Sequence, residues 1–161
     1  MDETPTYLLT LFTALGCGLM AGLFFVFSVF AMKALDRLGP AQAVAAMQSI
    51  NVAIITPLFM VVFMGTAIAC IVLGVIALVD LEGDEQTYVL LGCGLYLVTV
   101  MAMTFAYHIP RNNALARLDP NTPDATNYWA RYFKEWTRGN HVRTLGSLGA
   151  LASFIAAIRV G

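Results

Sequence analysis

Residues 7–32 read YLLTLFTALGCGLMAGLFFVFSVFAM, a run with no charged side chain, preceded by Asp2 and Glu3 and followed by Lys33 and Arg37. A helix needs roughly 20 apolar residues to cross the hydrocarbon of a bilayer, and this run supplies them. A cleavable secretory signal begins basic and has an apolar stretch of only about 7–15 residues. The run is longer and is preceded by acid, so it reads as a retained membrane-spanning helix. Three more runs of the same kind lie at about 56–79, 87–107 and 141–158. The composition agrees: 161 residues, 59% hydrophobic and 12% charged, with a mean hydropathy of +0.75, where a soluble domain carries about 25% charged residues. The expected fold is all-α, one domain over 1–161: a four-helix transmembrane bundle with short interfacial helices in its cytoplasmic connections.

The net charge of -1 excludes a nucleic-acid partner, which needs a basic excess on one face. The placement of charge is more informative. Lys33 and Arg37 follow the first span, and Arg111, Arg117, Arg131, Lys134, Arg138 and Arg143 lie between the third and fourth or at the start of the fourth. The turn between the second and third carries Asp80, Glu82, Asp84 and Glu85 with no cation. Cytoplasmic connections are enriched in Lys and Arg, so the basic connections are expected inside and both termini outside.

Residues 40–51 place Val44, Met47, Gln48 and Asn51 at helical spacing and read as a helix lying at the interface. Thr56 followed by Pro57 is a helix start, the hydroxyl capping and the proline needing no N–H in the first turn. A second short helix is expected from about Ala125 to Arg138, with Trp129, Tyr132 and Trp136 on one face at headgroup level. Gly18 and Gly22, and the small residues Gly146, Ala150, Ser153 and Ala157, permit close helix approach. Packing within one bundle is the plainer use of them, and a homo-oligomer face is the alternative.

Cys17, Cys70 and Cys93 stand apart in apolar spans and read as small buried hydrophobes, not metal ligands. Phosphate-loop, dinucleotide, zincin and hydrolase-elbow motifs are missing. What remains is polar residues expected at one depth, where a pocket apolar towards the bilayer and capped by polar groups suits a small ligand. His108 and Asn112 close the third span; Trp136, Asn140, His141 and Arg143 open the fourth; Gln48 and Asn51 precede the second. Asn140 also suits an N-cap, Arg143 a snorkelling cation, and His108 a partner for terminal carbonyls. His141, expected at a helix start, is the best placed of these to serve as a base.

GLFFVFS at 22–28, AMQSIN at 46–51, PRNN at 110–113, WT at 136–137 and NHVR at 140–143 together resemble the anthrone-oxygenase-like family of small four-helix membrane proteins. Most members have no assigned function. The chain has Gly139 where the family commonly has an aromatic residue, and His108 where it often has Asn. The resemblance implies oxidation of a lipophilic anthrone-like compound by dioxygen without a cofactor, with the substrate drawn from the lipid bilayer. On that reading His141 removes the doubly benzylic proton and Arg143 or Asn140 holds the resulting oxyanion. Trp136, Phe24 or Phe25 stack on the rings, and Gln48, Asn51, His108 and Asn112 form the polar rim. A second reading is a non-catalytic subunit binding a lipid, a quinone or a partner protein. A third is haem held axially by His108 and His141.

Overall fold

A computed structural model describes residues 4–161, so Asp2 and Glu3 lie outside the described residues. Among these, five helices and no strand form: α1 (Thr4–Asp36), α2 (Pro40–Ala53), α3 (Pro57–Asp80), α4 (Gly83–Ala116) and α5 (Pro123–Val160). All but α2 are long and apolar enough to cross a bilayer, which makes this a multi-pass membrane protein. Lys33, Arg37, Arg111 and Arg117 cluster at the ends of α1 and α4, hereafter the basic end. Asp80, Glu82 and Asp84 mark the opposite, acidic end.

Local chemistry explains the joints. Gly39 takes φ +87°, open to glycine at little cost, and Pro40 then starts α2. The Thr56 hydroxyl accepts from the Phe59 N–H at 3.2 Å with Pro57 in the first turn, the start expected for α3. The same pair of residue types begins α5: Thr122 accepts from the Ala125 N–H at 3.3 Å, ahead of Pro123.

Two helices run further than their hydropathy suggests. The expected interfacial helix at 125–138 and the span at 141–158 are one uninterrupted helix, α5, so Asn140 and His141 sit in its middle and Asn140 is no N-cap. Nothing between Arg138 and Val142 breaks it, because Gly139 keeps helical geometry and is there for a different reason given below. α4 likewise continues past His108 and through Pro110 to Ala116. A proline removes one N–H and crowds the preceding turn, and α4 widens to π-helical turns at Tyr96–Ala102 and Thr104–His108 just before it. α1 widens in the same way at Phe27–Ala31. Such turns redirect side chains and often occur at functional sites.

α5 is the central helix, packing along α1 and α4. Its interior face descends through Trp129, Tyr132, Trp136, Asn140, Arg143, Ser147, Ala150 and Phe154, all buried. Two cores result. Towards the acidic end, Cys17, Cys70, Cys93, Leu73, Tyr96 and Phe154 pack together, the cysteines buried as expected. Gly146 is the closest point of this seam: a Cβ there would collide with Thr99. Towards the basic end, Met32, Val44, Met47, Leu115, Trp129 and Tyr132 form the second core.

The Trp129–Tyr132–Trp136 stripe therefore faces inward and not the headgroups. Its polar atoms have interior partners from distant parts of the chain. Trp129 Nε1 donates to Asp36 Oδ1 at 2.8 Å, while the Tyr132 hydroxyl and Trp136 Nε1 both donate to Asn112 Oδ1, at 2.8 and 3.1 Å. An indole or phenol whose N–H or O–H is met inside can be buried whole.

Candidate functional site

Between the two cores lies a cavity of about 290 Å³, near the lower end of the roughly 300–1,000 Å³ range of small-molecule pockets. Its walls are Phe24 and Phe27 of α1, Met47 of α2, Phe59 and Phe63 of α3, and Trp136 of α5. Polar groups enter from three helices. Thr104, His108 and Asn112 stand at i, i+4 and i+8 along α4, Asn51 comes from α2, and Arg143 from α5. The π-helical turns of α1 and α4 flank this space, one carrying Phe27 and the other Thr104 and His108.

Arg143 is only 7% exposed. One guanidinium nitrogen donates to Asn140 Oδ1 at 2.8 Å and another reaches Thr104 Oγ1 at 3.4 Å, while Nε has no partner. An arginine has five N–H donors, so part of its capacity is unused, and its side chain lines the cavity. The only ion pair among the described residues joins Arg111 to Glu135 at 2.9 Å, so no carboxylate neutralises Arg143. Its charge rests on ring faces, 4.4 Å from the Phe24 centroid and 5.1 Å from that of Trp136. A desolvated cation–π contact contributes about 2 kcal/mol, less than the several kcal/mol per ion that burial costs. A buried cation with no carboxylate partner in a membrane protein points to use.

Asn140 is the bracket for this cation. It is fully buried, and its Nδ2 donates to the Phe24 carbonyl at 2.7 Å and to Ser28 Oγ at 2.8 Å. Ser28 Oγ and Thr144 Oγ1 share a further hydrogen bond of 2.9 Å. The amide thus ties α5 to α1 on one side and orients the guanidinium on the other.

His108 is 1% exposed; neither ring nitrogen makes a hydrogen bond of full geometry, and the Gly139 backbone is the polar group that interacts with it. Its ring stands edge-on to Trp136, centroids 5.1 Å apart. Leaving a buried polar atom unmatched costs about 1–3 kcal/mol, so burial of His108, like that of Arg143, is costly, and its ring lines the cavity. Gly139 makes the room. A Cβ at that position would lie 2.9 Å from His108 Nε2 and 2.6 Å from the Tyr107 ring. Gly139 and His108 therefore form one arrangement, an imidazole seated against a residue with no side chain.

Of the residues expected at a site, Phe24, Asn51, His108, Asn112, Trp136 and Arg143 line this cavity, and Asn140 supports it from behind. Three fall elsewhere. His141 is exposed on the outer surface of α5, about 100° per residue away from the Asn140 and Arg143 face. It does not share a space with His108, so the two rings do not offer one axial pair to a haem. Phe25 is 53% exposed on α1. Gln48 spends its amide on the carbonyls of Leu115 and Leu118, both at 2.9 Å, closing the end of α4. Phe27, Phe59 and Thr104 were not anticipated. Thr104, one helical turn before His108, had a legible phase; the phenylalanines were indistinguishable from lipid-facing ones.

The fold and cavity define a class, a multi-pass helical membrane protein with an interior cavity lined by aromatic and polar side chains. The profile of the anthrone oxygenase family matches residues 59–153, more than half of the chain and including α3, α4 and the Trp136–Arg143 segment. The chain belongs to that family. No curated protein and no solved structure matches it.

Proposed function

We propose that the protein is a membrane oxygenase that converts a lipophilic anthrone-type substrate to a quinone with dioxygen, and that the reaction takes place in the cavity between the two cores. The observation that carries this reading is Arg143, a buried guanidinium without a counter-ion, opening on an aromatic-walled space beside the imidazole of His108. An anthrone is flat and apolar, with a carbonyl on one side of its central ring and a doubly benzylic CH2 on the other. His108 accepts a proton from that carbon, and the electron pair moves to the carbonyl oxygen, where Arg143 meets the developing charge. Dioxygen oxidises the enolate carbon and bonds to it, and protonation gives a hydroperoxide. Loss of the remaining C–H proton with cleavage of the O–O bond releases water and leaves the second carbonyl. One anthrone and one dioxygen yield one quinone and one water.

This assigns to His108 the base role that the sequence suggested for His141, because His108 faces the cavity. Phe24, Phe27 and Trp136 hold the ring system, and Asn51 and Asn112 bound its polar edge. The basic end is assigned to the cytoplasm and both termini to the outside, by the excess of Lys and Arg at that end.

The test is oxygen uptake and quinone formation from anthrone by purified protein in nanodiscs, corrected for the spontaneous reaction. Wild type and His141→Gln are expected to exceed background equally. His108→Gln is expected to lose about 10²-fold or more, as removal of a general base does. Wild type at background, with anthrone bound, would leave the binding-subunit reading in place of the oxygenase.

A further inference from the structure

The cavity has two ends of opposite character. Towards the basic end it is closed by the second core, where Met47, Leu115, Tyr132 and Trp136 are all buried. Hydrogen bonds stitch this plug across three helices: Gln48 to the end of α4, and Tyr132 and Trp136 to Asn112. On the side between α3 and α4 the cavity is rimmed by side chains that are themselves exposed and apolar: Ile55 68%, Met60 37%, Phe105 54% and Ile109 37%. The helix packing explains the opening. α3 packs along the Gly83–Ala102 part of α4, whereas the stretch beyond Thr104 packs on α5 and, past His108, also on α2. The first turns of α3 and the second half of α4 therefore stand apart, on a surface that faces hydrocarbon in a multi-pass protein.

We propose that the cavity exchanges its ligand sideways with the bilayer through this slot, and that the ligand it selects is an uncharged planar molecule with an acceptor oxygen. The proposal rests on the cavity being the ligand site, as in the reading above, and not on turnover. An uncharged ring system crosses the Ile55–Met60–Phe105–Ile109 rim without shedding water from a charge, and its oxygen then finds the open donors of Arg143. An anion in water would be drawn to Arg143 too, but it would have to pass either the plug or the hydrocarbon, and charge within the bilayer is costly. The two routes thus rank ligands in opposite order.

The experiment uses the full chain in phosphatidylcholine liposomes. The protein has two tryptophans, and Trp129→Phe leaves Trp136, on the cavity wall, as the sole reporter. Quenching of its emission is followed with anthraquinone and with anthraquinone-2-sulfonate. If Trp129→Phe does not fold, wild type is read the same way with Trp129 as a constant background. Anthraquinone is expected to quench to saturation, and the sulfonate at equal total concentration at least 10-fold less. Phe105→Ala, which widens the slot, is expected to raise the anthraquinone association rate at least 3-fold, and Ile109→Phe to lower it by a similar factor. Sulfonate equal to or better than anthraquinone, or association rates unchanged in both rim variants, would overturn the proposal. Quenching by anthraquinone together with no oxygen uptake on anthrone would sink the oxygenase reading and leave the entry route standing.

Discussion

The same four long helices pack directly on one another towards the acidic end and are held apart around the cavity between the two cores. Towards the acidic end the contacts are glycine on threonine and cysteine among apolar side chains, and polar groups are matched locally: Thr13, Thr66 and Thr99 return their hydroxyls to carbonyls one turn back, and Tyr96 donates to the Phe63 carbonyl at 3.1 Å. Around the cavity, aromatic rings replace small residues, the π-helical turns at Phe27–Ala31 and Thr104–His108 flank the space, and a guanidinium and an imidazole are buried without full partners. The acidic half is closed by small-residue contacts, and the cavity half carries a guanidinium and an imidazole whose burial is costly without full partners. A protein of this size can keep such groups because the penalty falls on only one part of it.

The largest effect expected from breaking this contrast is at Arg143. Arg143→Met should reduce quinone formation by about 10²–10³-fold, the usual loss when an oxyanion donor is removed. Yet the thermal midpoint in detergent should hold or rise, since an apolar side chain carries none of the several kcal/mol that burying an unpaired ion costs. A large fall in the midpoint would mean that Arg143 holds the fold. In the closed half the sign reverses. Gly146→Ala drives a methyl into Thr99 and should destabilise by about 1–3 kcal/mol, as overpacking does, measured by unfolding of the α4–α5 seam. Gly22, also on a helix with a small-residue motif, has nothing within 4 Å of where its Cβ would be. Gly22→Ala should therefore change stability by no more than about 1 kcal/mol, in the favourable direction set by helix propensity. A clear loss there would reveal a second chain packed on that face.

The spans, the small-residue seam and the starts of α2 and α3 were legible because they depend on hydropathy and on neighbours one turn away. The inward turn of Trp129, Tyr132 and Trp136 was not, since their partners Asp36 and Asn112 are far off in sequence and an amphipathic aromatic face is compatible with either headgroups or a polar interior. The Gly139-Asn140 pair looked like a helix start, but the glycine answers to the Tyr107 and His108 rings. A helix starting at Asn140 would leave the phase of His141 free, whereas the continuous α5 turns it to the outer surface. Carrying the helical phase back through Trp136, Asn140, Arg143 and Ser147, at i, i+4, i+7 and i+11, puts all four on one face and His141 off it. That pattern was present in the chain.

The account stands or falls on what occupies the cavity. An experimental structure of the protein in nanodiscs with anthraquinone bound is the direct measurement. The account predicts a ring system between Phe24, Phe27 and Trp136, one carbonyl oxygen within about 2.7–3.2 Å of the Arg143 guanidinium and the opposite edge against His108. Ligand density on the outer face of α5 beside His141, with the Arg143–His108 space unfilled, would contradict it.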